Sequence, residues 1–125
     1  MVQILVIDDE EPIRKLLARI IELEGYKVST ASCCNDALQQ LRKQQYDVIL
    51  CDVFLPDGNG VDFIFEIKKY SSDAAIILLT AHGNIEDGVQ AIKNGAFDYI
   101  TKGDDNRKII PTINRAVDET EKKER

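Results

Sequence analysis

Apolar runs of strand length alternate with segments whose apolar residues recur at helical spacing, and the pair repeats five times along the chain. Gln3 to Ile7 reads as strand one. After it, Ile13, Leu16, Leu17, Ile20 and Ile21 fall on one face of a helix that Pro12 opens and Gly25 closes. Tyr26 to Ala31 is strand two, followed by a helix turning Ala37, Leu38 and Leu41 inward. Val48 to Cys51 is strand three; the loop DVFLPDGNG leads to a helix carrying Val61, Ile64 and Ile67. Ala75 to Leu79 is strand four, with a helix on Ile85, Val89 and Ile92 that ends at Gly95. Phe97 to Thr101 is strand five, and the last helix uses Ile109, Ile113, Ala116 and Val117. Pro111 requires that this last helix start late or kink.

Strict alternation predicts a parallel sheet with helices on both faces, because parallel strands need right-handed crossovers. ILVI, VILC and AIILL are solidly apolar, as strands covered on both faces are, whereas YKVSTA and FDYIT are mixed, as edge strands are. The order 2-1-3-4-5 satisfies this pattern: a single doubly wound five-stranded parallel sheet of the α/β, flavodoxin-like class. Its binding crevice lies beyond the carboxyl ends of the strands, between strands one and three. Asp8 and Asp9, Asp52, Thr80 and Lys102 follow strands one, three, four and five at that edge.

At 125 residues, 44% hydrophobic and 30% charged, the chain suits one domain. We place that domain at residues 1–117; the charged stretch 118–125 reads as a helical tail or the start of a linker to an output domain, as in a piece of a longer regulator. A net charge of -6 argues against nucleic-acid binding by this segment. There is neither a membrane-spanning apolar run nor a signal-peptide pattern, so a cytoplasmic location is expected. Cys33, Cys34 and Cys51 are odd in number and lack Cys-x-x-Cys spacing, which fits reduced thiols without a role.

The acids need an explanation. Two carboxylates about 4 Å apart repel by about 4 kcal/mol at an effective dielectric of about 20, so a converging set needs protons or a cation. Magnesium prefers oxygen ligands and is commonly held by one or two carboxylates plus phosphate; manganese is the alternative ion. Asp9 and Asp52 are expected as direct ligands, with Asp8 acting through water and the Phe54 carbonyl completing the set. Glu10 and Glu11 sit at a helix start and are expected to face solvent. Lys102 suits phosphate oxygens, and the Thr80 hydroxyl can donate a hydrogen bond to the same group. A carboxylate can accept a phosphoryl group, and Asp52, leaving a buried strand directly, is the candidate.

These residues, in the motifs VIDDE, DVFLPDGNG, LTAHG and GAFDYITK, resemble the receiver domains of two-component response regulators over residues 2 to about 117. LTAHG and GAFDYITK look most like receivers attached to ATPase-type activators of transcription. The resemblance implies a phosphoacceptor switch that assists its own phosphorylation and dephosphorylation, and is not otherwise an enzyme. The donor would be a sensor histidine kinase, a phosphotransfer protein of a phosphorelay, or a small molecule such as acetyl phosphate. It implies that Thr80 and Tyr99 move on activation and reshape the surface of helix four, strand five and helix five. It also implies an output domain in the same chain or a partner, and admits a homodimer on phosphorylation. Phe54 and His82 match positions that tune phosphoryl lifetime. Gly103 stands where most receivers have proline after the lysine.

Plainer readings stand beside these. Asp8 and Asp9 could be helix-start acids, Asp52 a turn opener, Thr80 a strand-end cap, His82 a loop residue and Tyr99 half-buried packing. A flavodoxin-type cofactor binder would want a phosphate-cradling loop after strand one, where this chain has acids. An aspartate-nucleophile phosphatase would want Asp-x-Asp after strand one, and no Walker A or dinucleotide fingerprint occurs. The remaining alternative is a phosphorylation-independent interaction module of the same fold.

Overall fold

In a computed structural model of the chain, residues 1–80, 84–102 and 106–124 are described. The solid apolar runs form the middle of the sheet. The elements are β1 (Gln3–Ile7), α1 (Glu11–Leu23), β2 (Lys27–Ala31), α2 (Cys34–Lys43) and β3 (Val48–Asp52), then a short hairpin of β4 (Phe54–Leu55) and β5 (Gly58–Asn59). Next come α3 (Gly60–Tyr70), β6 (Ala75–Thr80), α4 (Ile85–Asn94), β7 (Asp98–Thr101), a 3-10 turn (Asn106–Lys108) and α5 (Ile109–Glu124). The five-stranded sheet runs β2-β1-β3-β6-β7, parallel throughout. With the hairpin set aside, this is the order expected from the edge-strand pattern.

Side-chain alternation along each strand divides the core in two. Ile4, Val6, Leu50, Ile77 and Leu79 pack with Leu17 and Ile21 of α1 and with Ile113 and Ala116 of α5. Leu5, Ile7, Ile49, Cys51 and Leu78 pack on the other face with Ala37, Leu41, Ile64, Ile67 and Ala91 of α2, α3 and α4. Fully burying an aliphatic side chain of this size is worth about 1.5–3 kcal/mol, so the two layers hold the central strands firmly. The functional edge is therefore built on rigid supports.

Helix boundaries follow local chemistry. Pro12 lies in the first turn of α1, and Gly25 and Gly95 adopt φ of 91° and 110° just past α1 and α4, where a side chain would be strained. The 3-10 turn delays α5 to Ile109, which puts Pro111 in the first turn, where its missing N–H costs nothing.

Two expectations about helix faces need correction. On α1 the buried residues are Leu17 and Ile21, and Leu16 is 48% exposed. On α4 the buried positions are Gly88 and Ala91, while Ile85, Val89 and Ile92 are 66%, 45% and 43% exposed. Small residues bring α4 down onto β7 and α3, and that close approach turns its bulky apolar stripe outward. The DVFLPDGNG segment, expected as a plain loop, holds the β4–β5 hairpin. Among the described residues no helix is long and apolar enough to cross a membrane.

Candidate functional site at the carboxyl edge of the sheet

Strands β1 and β3 end side by side, with Ile7 opposite Cys51, so the next residue of each chain segment, Asp8 and Asp52, emerges at the same edge. The Asp8 N–H donates to the Ala31 carbonyl at 3.1 Å, extending the ladder by one bond. Asp52 pairs with Leu79, and the following Val53 N–H donates to the Leu79 carbonyl at 3.2 Å. The start of α3 rests on this backbone: the Gly60 N–H donates to the Val53 carbonyl at 2.7 Å, and a Cβ at Gly60 would overlap the Asp52 carbonyl oxygen. Thr80, 1% exposed, closes β6, and its carbonyl accepts from the Lys102 N–H at 2.7 Å. That bond aims Lys102 back over the edge.

The lysine ammonium is the hub. Its Nζ lies 2.7 Å from Glu10 Oε1, 2.9 Å from Asp8 Oδ2 and 2.9 Å from Asp52 Oδ2. Glu10, expected to face solvent, instead turns to this cation, because an exposed carboxylate gains by joining a charge already held in place; its side chain is still 57% exposed. Glu11 does face solvent, paired with Lys15 at 2.6 Å. Burial pushes the Asp52 carboxyl above the usual carboxylate range; Asp8 and Asp9 push the same way and Lys102 opposes them. Burial works against the Lys102 charge, but the carboxylates of Glu10, Asp8 and Asp52 outweigh it and hold the ammonium above the usual lysine range.

The donor set fits a hard divalent cation. One carboxylate oxygen from each of Asp8, Asp9, Glu10 and Asp52 lies within 4.8 Å of the others. Asp8 is fully buried, and its Oδ2 accepts no hydrogen bond of ordinary geometry, meeting only the charge of Lys102. A buried carboxylate oxygen left so poorly served is what a cation or its water would satisfy. Asp9 is exposed, with its carboxylate oxygen already among this group. Receiver domains generally bind magnesium at such an acidic pocket.

Phe54 is held by pairing with Asn59 in the hairpin, with its ring 62% exposed. Tyr99 is half-buried on β7 with its ring against α4. The structure therefore brings Asp8, Glu10, Asp52 and Lys102 into contact, with Asp9 and Thr80 beside them, while Tyr99 lies apart on the α4 side. His82 and Gly103 lie outside the described residues. Cys33, Cys34 and Cys51 are free thiols. Burial pushes the Cys34 thiol up to about 12 and Cys51 well above the usual range.

Three supports were not expected. The Arg14 Nη1 donates to the Asp8 carbonyl at 2.9 Å, fixing the turn into α1. Asp57, at the hairpin tip, accepts from the Cys34 and Asn35 N–H groups at 2.7 and 2.9 Å and so caps α2 from 23 residues away. Asn59 caps α3, accepting from the Val61 N–H at 2.8 Å. Asn59 carried a readable signal, an Asn immediately before an apolar helical run. Arg14 and Asp57 carried none.

Residues 4–114 match the family described as the response regulator receiver domain. The chain is 37% identical over 113 residues to the phosphate regulon transcriptional regulatory protein PhoB of Escherichia coli (strain K12), covering 89% of this chain and 49% of that protein. It thus spans about half the length of that relative. Among solved structures, NtrX from Brucella abortus in complex with ADP superposes at a TM-score of 0.93 with 33% identity, over 99% of this chain and 29% of that one. The beryllofluoride-activated NtrC4 receiver domain dimer superposes at 0.89 with 39% identity, over 96% of this chain and 99% of that one. The likeness to receivers of ATPase-type activators therefore holds alongside the likeness to PhoB. With the acids of β1 and β3, the Thr80 hydroxyl and Lys102 gathered at one edge of this sheet, the chain belongs to the response regulator receiver domain family of two-component systems.

Proposed function

We propose that this chain is a magnesium-dependent phosphoacceptor switch in which Asp52 takes a phosphoryl group from a histidine kinase, a phosphotransfer protein or a small donor such as acetyl phosphate. The observation that carries the reading is the contact of Lys102 with Asp52, at 2.9 Å, inside a ring of carboxylates that a divalent cation would complete. An oxygen of the Asp52 carboxylate forms a bond to phosphorus while the bond from phosphorus to the donor nitrogen or oxygen breaks. The donor leaves with that electron pair. Lys102 follows the transferred group and pairs with its oxygens, and the Thr80 hydroxyl donates to another. Asp9 and Asp52, Asp8 through water and the Phe54 carbonyl would hold magnesium, or manganese, which when bound would neutralise charge on the phosphoryl oxygens. The exposed Phe54 ring hinders the hydrolytic water, and with His82 it sets how long the phosphoryl group lasts.

We further read residues 1–117 as the receiver and 118–125 as the lead into an output segment; the relative PhoB, about twice the matched length, is a transcriptional regulatory protein. Thr80 and Tyr99 reposition on phosphorylation and alter the face of α4, β7 and α5. The outward stripe Ile85, Val89 and Ile92 supports this, since a contiguous exposed apolar face suits association with a second copy or an output domain. The activated NtrC4 receiver is itself a dimer. We place the switch in the cytoplasm, where response regulators generally work.

The test is intact mass after acetyl phosphate treatment, with and without magnesium, for the parent and Asp52→Asn. Gain of one phosphoryl group in the parent alone, and only with the metal, is expected. Equal gain in both proteins would remove Asp52 from its role.

A further inference from the structure

Gly88 is buried in the interior of α4, where glycine is the poorest helix former after proline. Its neighbour explains why it stands there. A methyl carbon built on Gly88 would lie 2.7 Å from Cγ, Cδ2 and Cε2 of Tyr99, well inside the roughly 3.5–4 Å of ordinary carbon contact. The ring of Tyr99 thus lies directly on the bare helix backbone. Because Cγ is among the three atoms, turning the ring about its own axis does not relieve the contact. The ring has to leave by a change of χ1, or the helix has to lift.

We propose that Gly88 is the socket of the Tyr99 ring, a positioning residue that sets where the ring of the switch can rest and how closely α4 seats on β7. Val89 and Ile92, on the outward side of the same helix, move with that seating, so the identity of residue 88 governs the apolar stripe as well. The functional half of this inference rests on reading Tyr99 as part of the switch. The socket itself does not depend on that reading.

A cycle of four proteins tests it: parent, Gly88→Ala, Tyr99→Ala and the double variant, melted without metal or phosphoryl donor. Gly to Ala inside a helix ordinarily raises Tm by about 4 °C in a domain of this size. That rise is expected in the Tyr99→Ala background only, with Gly88→Ala melting several degrees below the parent when the ring is present. The same rise in both backgrounds would overturn the socket. A second arm follows the tyrosine ring resonances by NMR before and after acetyl phosphate and magnesium. Gly88→Ala is expected to gain the phosphoryl group to the parent's extent, with Tyr99 already displaced beforehand and its phosphorylation shift at least halved. Unaltered Tyr99 resonances and response would remove Gly88 from the switch. If the parent gains no phosphoryl group, the function proposed for Asp52 falls, and the melting cycle still decides the socket.

Discussion

The ammonium of Lys102 and the carboxylate of Asp52, 50 residues apart in sequence, meet at 2.9 Å, and the same Nζ reaches Asp8 and Glu10. The lysine side chain is 14% exposed, so one partly desolvated cation faces three carboxylates and offsets only part of their charge. It supplies a single positive charge among acids that a divalent cation would offset more fully. A cation bound among these acids would therefore share with the lysine the task of holding this edge together.

Lys102→Met should cost about 2–4 kcal/mol in metal-free buffer, because removing one partner leaves buried charge unpaired. Magnesium should recover more stability in this variant than in the parent, since a ligand of the folded state stabilises by mass action. Thermal melts in chelator and in excess magnesium measure both. An equal magnesium effect in the two proteins would show that the lysine and the ion do not share the acids.

Asp57→Asn tests the remote cap on α2. The N–H groups of Asn35 and Cys34 hold the Asp57 carboxyl below the usual carboxylate range. A carboxyl depressed in the folded state contributes in full above its unfolded value near 4 and is lost as pH falls through its folded value. The variant should lose about 1 kcal/mol at pH 7 and decline less steeply than the parent below about pH 4. Urea unfolding from pH 7 to pH 3 gives both curves; parallel curves would argue that the two hydrogen bonds carry no charge dependence.

Gly60→Ala forces a carbon into the Asp52 carbonyl and should destabilise by about 2–3 kcal/mol, as overpacking against backbone does. Because the displaced group is the backbone of the acceptor, phosphoryl uptake should slow as well. Chemical denaturation alongside acetyl phosphate labelling checks the pair. A variant as stable as the parent but slow to label would place the effect in Asp52 positioning alone.

Thiol accessibility should separate the cysteines. Cys51 is 0% and Cys34 8% exposed, and the Cys34 thiol is raised to about 12, whereas Cys33 is partly exposed at the start of α2. At pH 8 a thiol-specific reagent should label Cys33 first, with the other two reacting only on unfolding. Peptide mapping after timed labelling reads the order.

Much of this was legible in the chain. Solid apolar runs against mixed ones distinguish β1, β3 and β6 from the edge strands β2 and β7, because burial on two faces leaves no room for polar side chains. Gly25 and Gly95 mark helix ends by a conformation other residues resist. Asp8, Asp52 and Lys102 stand at strand ends, so topology alone brings them to one edge. The outward turn of Ile85, Val89 and Ile92 was not legible, since helical spacing shows that a face exists but not that Gly88 and Ala91 would take the inner side. Glu10 and Asp57 were missed for a related reason: their partners come from distant segments, and no local pattern records a meeting in space.

The most direct measurement is the identity of the modified residue. After acetyl phosphate and magnesium, borohydride reduces an acyl phosphate to the alcohol, so peptide mass spectrometry should find homoserine at position 52 and aspartate everywhere else. Homoserine at Asp8, Asp9 or Asp57, or an intact position 52 in protein that has gained the phosphoryl group, would contradict the account.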